Sequence, residues 1–240
     1  MCDVCGCGDK NVVPVDVHER LLAGNDRAAQ HNREHFHEHG VTSINLMGSP
    51  GAGKTLVLEA TARALGGAAK LGVLAGDLAT DFDAARIRAA GIVAESITTG
   101  TACHLDADMV HHGLHHLPWQ TLDYLFIENV GNLVCPAVYD LGQHANVVAL
   151  SVTEGEDKPL KYPTMFRKVD LVLLTKVDLL PALDVDVAAI EANLLQVMRH
   201  PAMLMISAKT GEGVDAWVKW LRGVGKPRSA PCATGMGLEP

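Results

Sequence analysis

A chain of 240 residues that is 48% apolar and 20% charged has a globular composition, and its length suits one α/β domain with extensions. A net charge of −8 without a long basic run argues against nucleic acid as a partner. No apolar run approaches the roughly 18 residues that span a bilayer, so no membrane partner is expected. The N-terminus lacks the apolar stretch of a secretion signal, so a cytoplasmic, reducing compartment is expected, where clustered thiols serve as metal ligands more often than as disulfides.

Residues 1–15 carry Cys2, Cys5 and Cys7 among Gly, Asp, Lys and Asn, a composition that cannot form a core and reads as a flexible arm. A polar helix from Val15 to His39 follows, with Val17, Leu21, Ala28 and Phe36 as its thin apolar side and Gly40 as its end. Short runs rich in Leu, Val and Ile then predict strands at 43–47, 71–75, 92–97, 122–128, 146–152, 170–174 and 203–206. Helical patterns fit 54–65, 82–90, 105–116, 184–198 and 214–222. Strands alternating with helices predict an α/β fold, a mostly parallel sheet flanked by helices, over residues 16–222. The Gly- and Pro-containing tail, 223–240, reads as unstructured.

Gly48-Ser49-Pro50-Gly51-Ala52-Gly53-Lys54-Thr55 fits G-x-x-x-x-G-K-[ST] between a predicted strand and a predicted helix. Its backbone N–H groups can cradle phosphates, Lys54 supplies a point charge for the β- and γ-phosphates, and Thr55 offers a hydroxyl to Mg²⁺. Glu128-Asn129-Val130-Gly131 follows another strand, where an acid can hold Mg²⁺ through water and the Gly131 amide can reach the γ-phosphate.

Thr175-Lys176-Val177-Asp178 follows a third strand and resembles the N-K-x-D guanine signature, with Thr in place of Asn. Asp178 would accept the N1–H and exocyclic amine of guanine, and adenine would leave it unpaired. Lys176 would lay its stem along the base. Ser207-Ala208-Lys209, after the last strand, resembles the third guanine contact, an amide to O6. T-K-x-D alone also reads as a polar loop; all four segments in this order on strand ends read as a nucleotide site. No residue stands out as a general base.

Cys2-x-x-Cys5-x-Cys7 places three soft thiols in one short loop, suited to Zn²⁺ or Ni²⁺. Cys103-His104 and Cys135 follow strands expected to be neighbours and form a second possible set; equally, they read as small buried residues and a surface His. His31, His35 and His39 lie four apart, as do His111/His115 and His112/His116, a spacing that fits a solvated helix face or a weak metal chelate.

Taken together the chain resembles the HypB family of metallochaperone P-loop GTPases. The carriers are the cysteine arm, the phosphate loop, Gly76-Asp77-Leu-Ala-Thr80-Asp81, Gly100-Thr-Ala-Cys103-His104-Leu, Glu128 through Pro136, and Thr153 through Pro163. The resemblance implies GTP hydrolysis, a dimer when nucleotide is bound, and delivery of nickel to [NiFe]-hydrogenase. It implies a high-affinity nickel site at Cys2, Cys5 and Cys7 and a nickel or zinc site of Cys103, His104 and Cys135 at the dimer interface. Asp77 matches the acid near Mg²⁺. The implied partners are a HypA-like zinc protein and the hydrogenase large-subunit precursor. Two rival readings are a metal store with a vestigial nucleotide site and a GTPase serving another enzyme; the intact Lys54, Thr55 and Asp178 oppose the first, and the cysteine arm opposes the second.

Overall fold

Seven strands form one sheet, β1 (Thr42–Gly48), β2 (Leu71–Asp77), β3 (Val93–Thr98), β4 (Tyr124–Glu128), β5 (Ala145–Ser151), β6 (Leu171–Thr175) and β7 (Met203–Ile206). Their order is β3-β2-β4-β1-β5-β6-β7 and every ladder is parallel. The helices are α1 (Pro14–His39), α2 (Lys54–Leu65), α3 (Phe82–Ala89), α4 (Ala107–Leu114), α5 (Lys158–Lys161), α6 (Pro163–Phe166), α7 (Val187–Val197) and α8 (Val214–Leu221). This computed structural model describes residues 14–77, 82–100 and 102–225; the cysteine arm, Thr80, Asp81 and the end of the tail lie outside the described residues. Among the described residues no helix is long and apolar enough to cross a membrane.

Period-2 alternation divides each of the five inner strands between two buried faces, whereas edge strands β3 and β7 are only partly buried. Ile44, Leu46 and Phe126 enter a core with Val57 of α2 and Trp217 of α8, whereas Leu125 and Ile127 turn to the opposite face and meet Phe36 of α1 and Val110 of α4. Met47, Val148 and Val172 pack on that face with Ile190 and Leu194 of α7. Burial on both sides explains why the inner strands read as apolar runs. Each predicted strand and helix overlaps an observed one. Predicted helix 105–116 is shorter, because Asp106 caps α4 by accepting the Met109 N–H at 2.8 Å.

Trp217 is fully buried, and its indole N–H donates to the Thr61 hydroxyl at 2.8 Å. Thr61→Val keeps the shape and removes the acceptor, so the variant is expected to lose about 1–3 kcal/mol in urea unfolding, the cost of an unpartnered buried donor.

The polar helix α1 docks differently from its expected apolar side. Asn25, Ala29, Asn32 and Phe36 form its buried face; Ala28 is half-buried, and the Val17 and Leu21 side chains lie outside the described residues. The two asparagines are latches. Asn25 donates to the Asp140 carbonyl at 2.8 Å and accepts the Ala107 N–H at 2.9 Å. Asn32 donates to the carbonyls of Ala107 at 2.9 Å and Leu141 at 3.3 Å. Side-chain amides thus satisfy backbone groups at the start of α4, which holds α1 and α4 in register.

Candidate functional site

Central β1 ends at Gly48, so the phosphate loop emerges in the middle of the sheet's carboxyl edge and leads into Lys54, the first residue of α2. A cleft of about 540 Å³ opens there, lined by Pro50, Lys54, Thr55, Asp77, Glu128 and Lys176 among others. Lys54 is buried, its Nζ 3.4 Å from the carbonyls of Gly48 and Ser49. Burial lowers its pKa, opposed by the carboxylates of Glu128, Asp83 and Glu154. Ala52 is buried within the loop; Gly51 is exposed.

Glu128 ends β4 with Oε1 accepting the Thr55 hydroxyl at 2.9 Å. Its Oε2 is buried without a hydrogen-bond partner. Burial raises its pKa to about 7, against the pull of the Lys54 charge and the Thr55 bond. Asp83, at the start of α3, stands 3.3 Å from the Thr55 hydroxyl. The sequence reading missed Asp83, which carries no motif of its own. Gly131 lies against the phosphate loop: a Cβ there would stand 2.9 Å from Pro50 Cγ and 3.0 Å from Pro50 N, so only glycine permits this approach.

On the other side of the loop, Thr175 is buried and its hydroxyl donates to the Ala52 carbonyl at 2.6 Å, tying the Thr175–Asp178 segment to the phosphate loop. Lys176 takes φ 60°, the one positive φ among described non-glycine residues, and enters the cleft. Asp178 Oδ1 accepts the Ser207 hydroxyl at 2.7 Å, and Ser207 Oγ in turn accepts the Thr210 N–H at 3.1 Å. Ala208 follows half-buried, and Lys209 is exposed.

Cys103 and Cys135 follow β3 and β4, which are not the neighbours expected: β2 lies between them. Their loops meet because the segment before α4 crosses the end of β2. Leu105 lies over Gly76, where a Cβ would be 2.9 Å from the leucine side chain. The Leu105 N–H also donates to Asn129 Oδ1 at 3.2 Å, fastening this segment to the end of β4. The sulfurs of Cys103 and Cys135 are 2.9 Å apart, and His104 Nδ1 is 3.9 Å from Cys103 Sγ. One ligand atom from each of the three falls within 4.8 Å of the others. The Cys103 hydrogen bond and burial raise the Cys135 pKa, whereas burial lowers that of His104 and favours the neutral, ligating imidazole. His104 stacks on Tyr139 with ring centroids 3.9 Å apart. Two thiolates at about 2.3 Å from a tetrahedral ion would stand about 3.8 Å apart, so a metal separates these sulfurs by about 1 Å.

Asn132 joins the two sites. It forms an antiparallel bridge with Gly48 of the phosphate loop and donates to the Cys103 carbonyl at 3.2 Å. Spacing alone gave no sign of this link.

A wholly parallel sheet whose central strand feeds this loop into a helix, with a buried acid at the end of the adjacent strand, defines a P-loop nucleoside triphosphatase. Residues 42–204 match the CobW/HypB/UreG nucleotide-binding domain family. Hydrogenase maturation factor HypB of Azotobacter vinelandii is 51% identical over 205 residues, covering 85% of this chain and 68% of that protein. The HypB structure from Archaeoglobus fulgidus is 42% identical with a TM-score of 0.78, over 84% of this chain and 98% of that one. The Helicobacter pylori HypB structure in complex with nickel is 38% identical with a TM-score of 0.80, over 83% of this chain and 94% of that one. The chain therefore belongs to the HypB family.

Proposed function

We propose that this chain is a nickel metallochaperone of [NiFe]-hydrogenase maturation that hydrolyses GTP to GDP and phosphate and uses the nucleotide state to set metal geometry at Cys103, His104 and Cys135. The Asn132 bridge from Gly48 to the Cys103 carbonyl carries this reading, because Cys135 lies three residues beyond Asn132. The kinship with hydrogenase maturation factors and with the nickel-bound relative supports it.

In this reading the amides from Gly51 to Thr55 hold the phosphates, with Gly48 and Ser49 shaping the turn. Lys54 opposes charge on the β- and γ-phosphates, and Gly131 senses the γ-phosphate. Thr175 braces the base loop, Lys176 covers the base, Asp178 reads its N1–H and amine, and the loop Ser207-Ala208-Lys209 meets O6. The partnerless Glu128 Oε2, the Thr55 hydroxyl and the Asp77 carboxylate are hard oxygen donors that fit Mg²⁺, with Asp83 beside Thr55. Mg²⁺ bound there supplies charge neutralisation for the transferred phosphoryl group. Burial among these groups excludes competing water and strengthens each electrostatic contact.

Cys2, Cys5 and Cys7 are the proposed high-affinity nickel ligands of the arm. Val134, 56% exposed beside Cys135, offers an apolar contact that supports a nucleotide-dependent homodimer closing over the second metal site, which takes nickel or zinc. A HypA-like zinc protein and the hydrogenase large-subunit precursor are the proposed partners, and the cytoplasm the proposed compartment.

The test is a nickel titration of the full chain with Cys2, Cys5 and Cys7 replaced by Ser, first with GDP and then with a non-hydrolysable GTP analogue. A metal that opens the Cys103–Cys135 contact pulls on a loop the phosphate loop also holds, so affinity should differ between states by roughly 5- to 150-fold. By linkage, nickel shifts nucleotide affinity by the same factor. Asn132→Ala should bring the two affinities together while nickel still binds. Equal affinities in the unsubstituted loop, within about twofold, would make the site static and remove the switch.

A further inference from the structure

We propose that His31 and His35 of α1 and His111 of α4 form a separate metal site that takes one borderline divalent cation, nickel or zinc, through three imidazoles. His31 and His35 stand one helical turn apart, and their Nε2 atoms are 3.0 Å from each other. Two nitrogens at about 2.0–2.1 Å from a tetrahedral ion are about 3.3 Å apart, so this pair needs almost no movement to chelate. The His111 ring lies 5.0 Å from His31 and 5.9 Å from His35 between centroids, and one nitrogen from each of the three falls within 4.8 Å of the others. The cluster shares no ligand with Cys103, His104 and Cys135, and from Ala107 to His111 the helix rises about 6 Å away from that site.

The surroundings hold this cluster in place. His111 Nδ1 contacts Asn32 Oδ1 at 3.2 Å. The Asn32 amide nitrogen is already committed to the carbonyls of Ala107 and Leu141, so Oδ1 is the end that faces His111. An amide oxygen only accepts, which makes His111 Nδ1 the donor and leaves its lone pair on Nε2. A ligating histidine characteristically donates its other ring N–H in this way, fixing tautomer and orientation. Asn32 is fully buried and, together with Asn25, fixes α1 against α4, so the third ligand is held opposite the other two by the core. The edge of Trp119, 5.8 Å from His35 between centroids, walls the cluster on one side. Imidazole suits nickel, zinc and copper, and three ligands leave a fourth position open for water or an incoming ligand.

The experiment uses the full chain with Cys2, Cys5, Cys7, Cys103 and Cys135 all replaced by Ser, titrated calorimetrically with Ni²⁺ alone and with Zn²⁺ alone. One ion per chain is expected to bind. His35→Asn and His111→Asn should each weaken it by about tenfold or more, since losing a ligand costs no less than losing the partner that orients one. His116→Asn, at an exposed position beyond α4, should leave it unchanged. Nucleotide hydrolysis by the His35 and His111 variants in the otherwise natural chain should match the parent, which separates failure here from failure of the nucleotide site. No ion bound by the five-serine chain while it still binds nucleotide, or binding indifferent to both His35→Asn and His111→Asn, would overturn the proposal. Should the five-serine chain not fold, the natural chain with its thiol sites filled by zinc provides the readout. Added Ni²⁺ should then broaden the ring resonances of His31, His35 and His111 before that of His116, and equal broadening of all four would overturn the site.

Discussion

Glu128→Gln is expected to cut nucleotide hydrolysis by about 10²–10³-fold, the usual scale for removing one preorganised electrostatic group, while flattening the pH dependence of stability. The Thr55 hydroxyl donates to Oε1, so the substituted amide keeps its oxygen there and places its NH₂ where Oε2 now stands without a partner. A donor then occupies the position that fits a cation. The sign of the stability effect follows from burial. Glu128 titrates near 7 in the fold against an ordinary value of 4.5, so the folded chain binds the extra proton between those limits. A raised acid contributes stability that is fully present below about 4.5 and lost as pH climbs through 7. The shift of about 2.5 pH units corresponds to on the order of 3 kcal/mol. Lys54 also loses a counter-charge in the variant, which moves its absolute stability, but the slope belongs to Glu128. Urea unfolding of nucleotide-free protein from pH 5 to 8 should therefore show the parent losing stability relative to the variant. Parallel curves would place Glu128 at an ordinary pKa.

The five inner strands were legible because they are buried on both faces, and the phosphate loop because its chemistry is local: one turn, one lysine, one hydroxyl at fixed spacing. Thr175, Asp178 and Ser207 were also legible, on two segments at strand ends, and the structure adds what Thr175 does, which is to hold the Ala52 carbonyl. Sheet order was not legible. Cys103 and Cys135 were expected on neighbouring strands, yet they meet across β2 only because Leu105 packs over Gly76. Pairwise spacing has no access to such a crossing. Polar latches were missed for a related reason. Hydropathy patterning scores Asn25 and Asn32 as surface, whereas both are buried because their amides meet backbone groups of elements more than 70 residues away. Asn132 was missed likewise: half-buried, it bridges Gly48 through its main chain and the Cys103 carbonyl through its amide, and the proposed coupling between nucleotide and metal rests on it.

Asp178→Asn is expected to lower affinity for GTP by roughly 10²–10⁴-fold and to move the preference to xanthosine triphosphate. The argument rests on which end of the new amide faces the base. Ser207 Oγ accepts the Thr210 N–H, so its own proton is committed to the Asp178 Oδ1 position at 2.7 Å. An asparagine meets that proton with its oxygen, and the NH₂ turns toward the base. Guanine presents an N1–H and an amine there: the amide oxygen can still accept the N1–H, now without charge assistance, but the charge-assisted bond to the amine, about 1.5–3 kcal/mol, becomes a donor–donor contact. Xanthine carries a carbonyl in place of the amine and accepts from the new NH₂. Removing the anchor tests the same logic from the other side. In the double variant with Ser207→Ala the amide can turn over, and part of the GTP affinity should return while xanthosine triphosphate binding falls. Competition binding of GTP, ATP and xanthosine triphosphate to the parent and both variants decides the matter. A parent that binds ATP as well as GTP would show that Asp178 does not read the base.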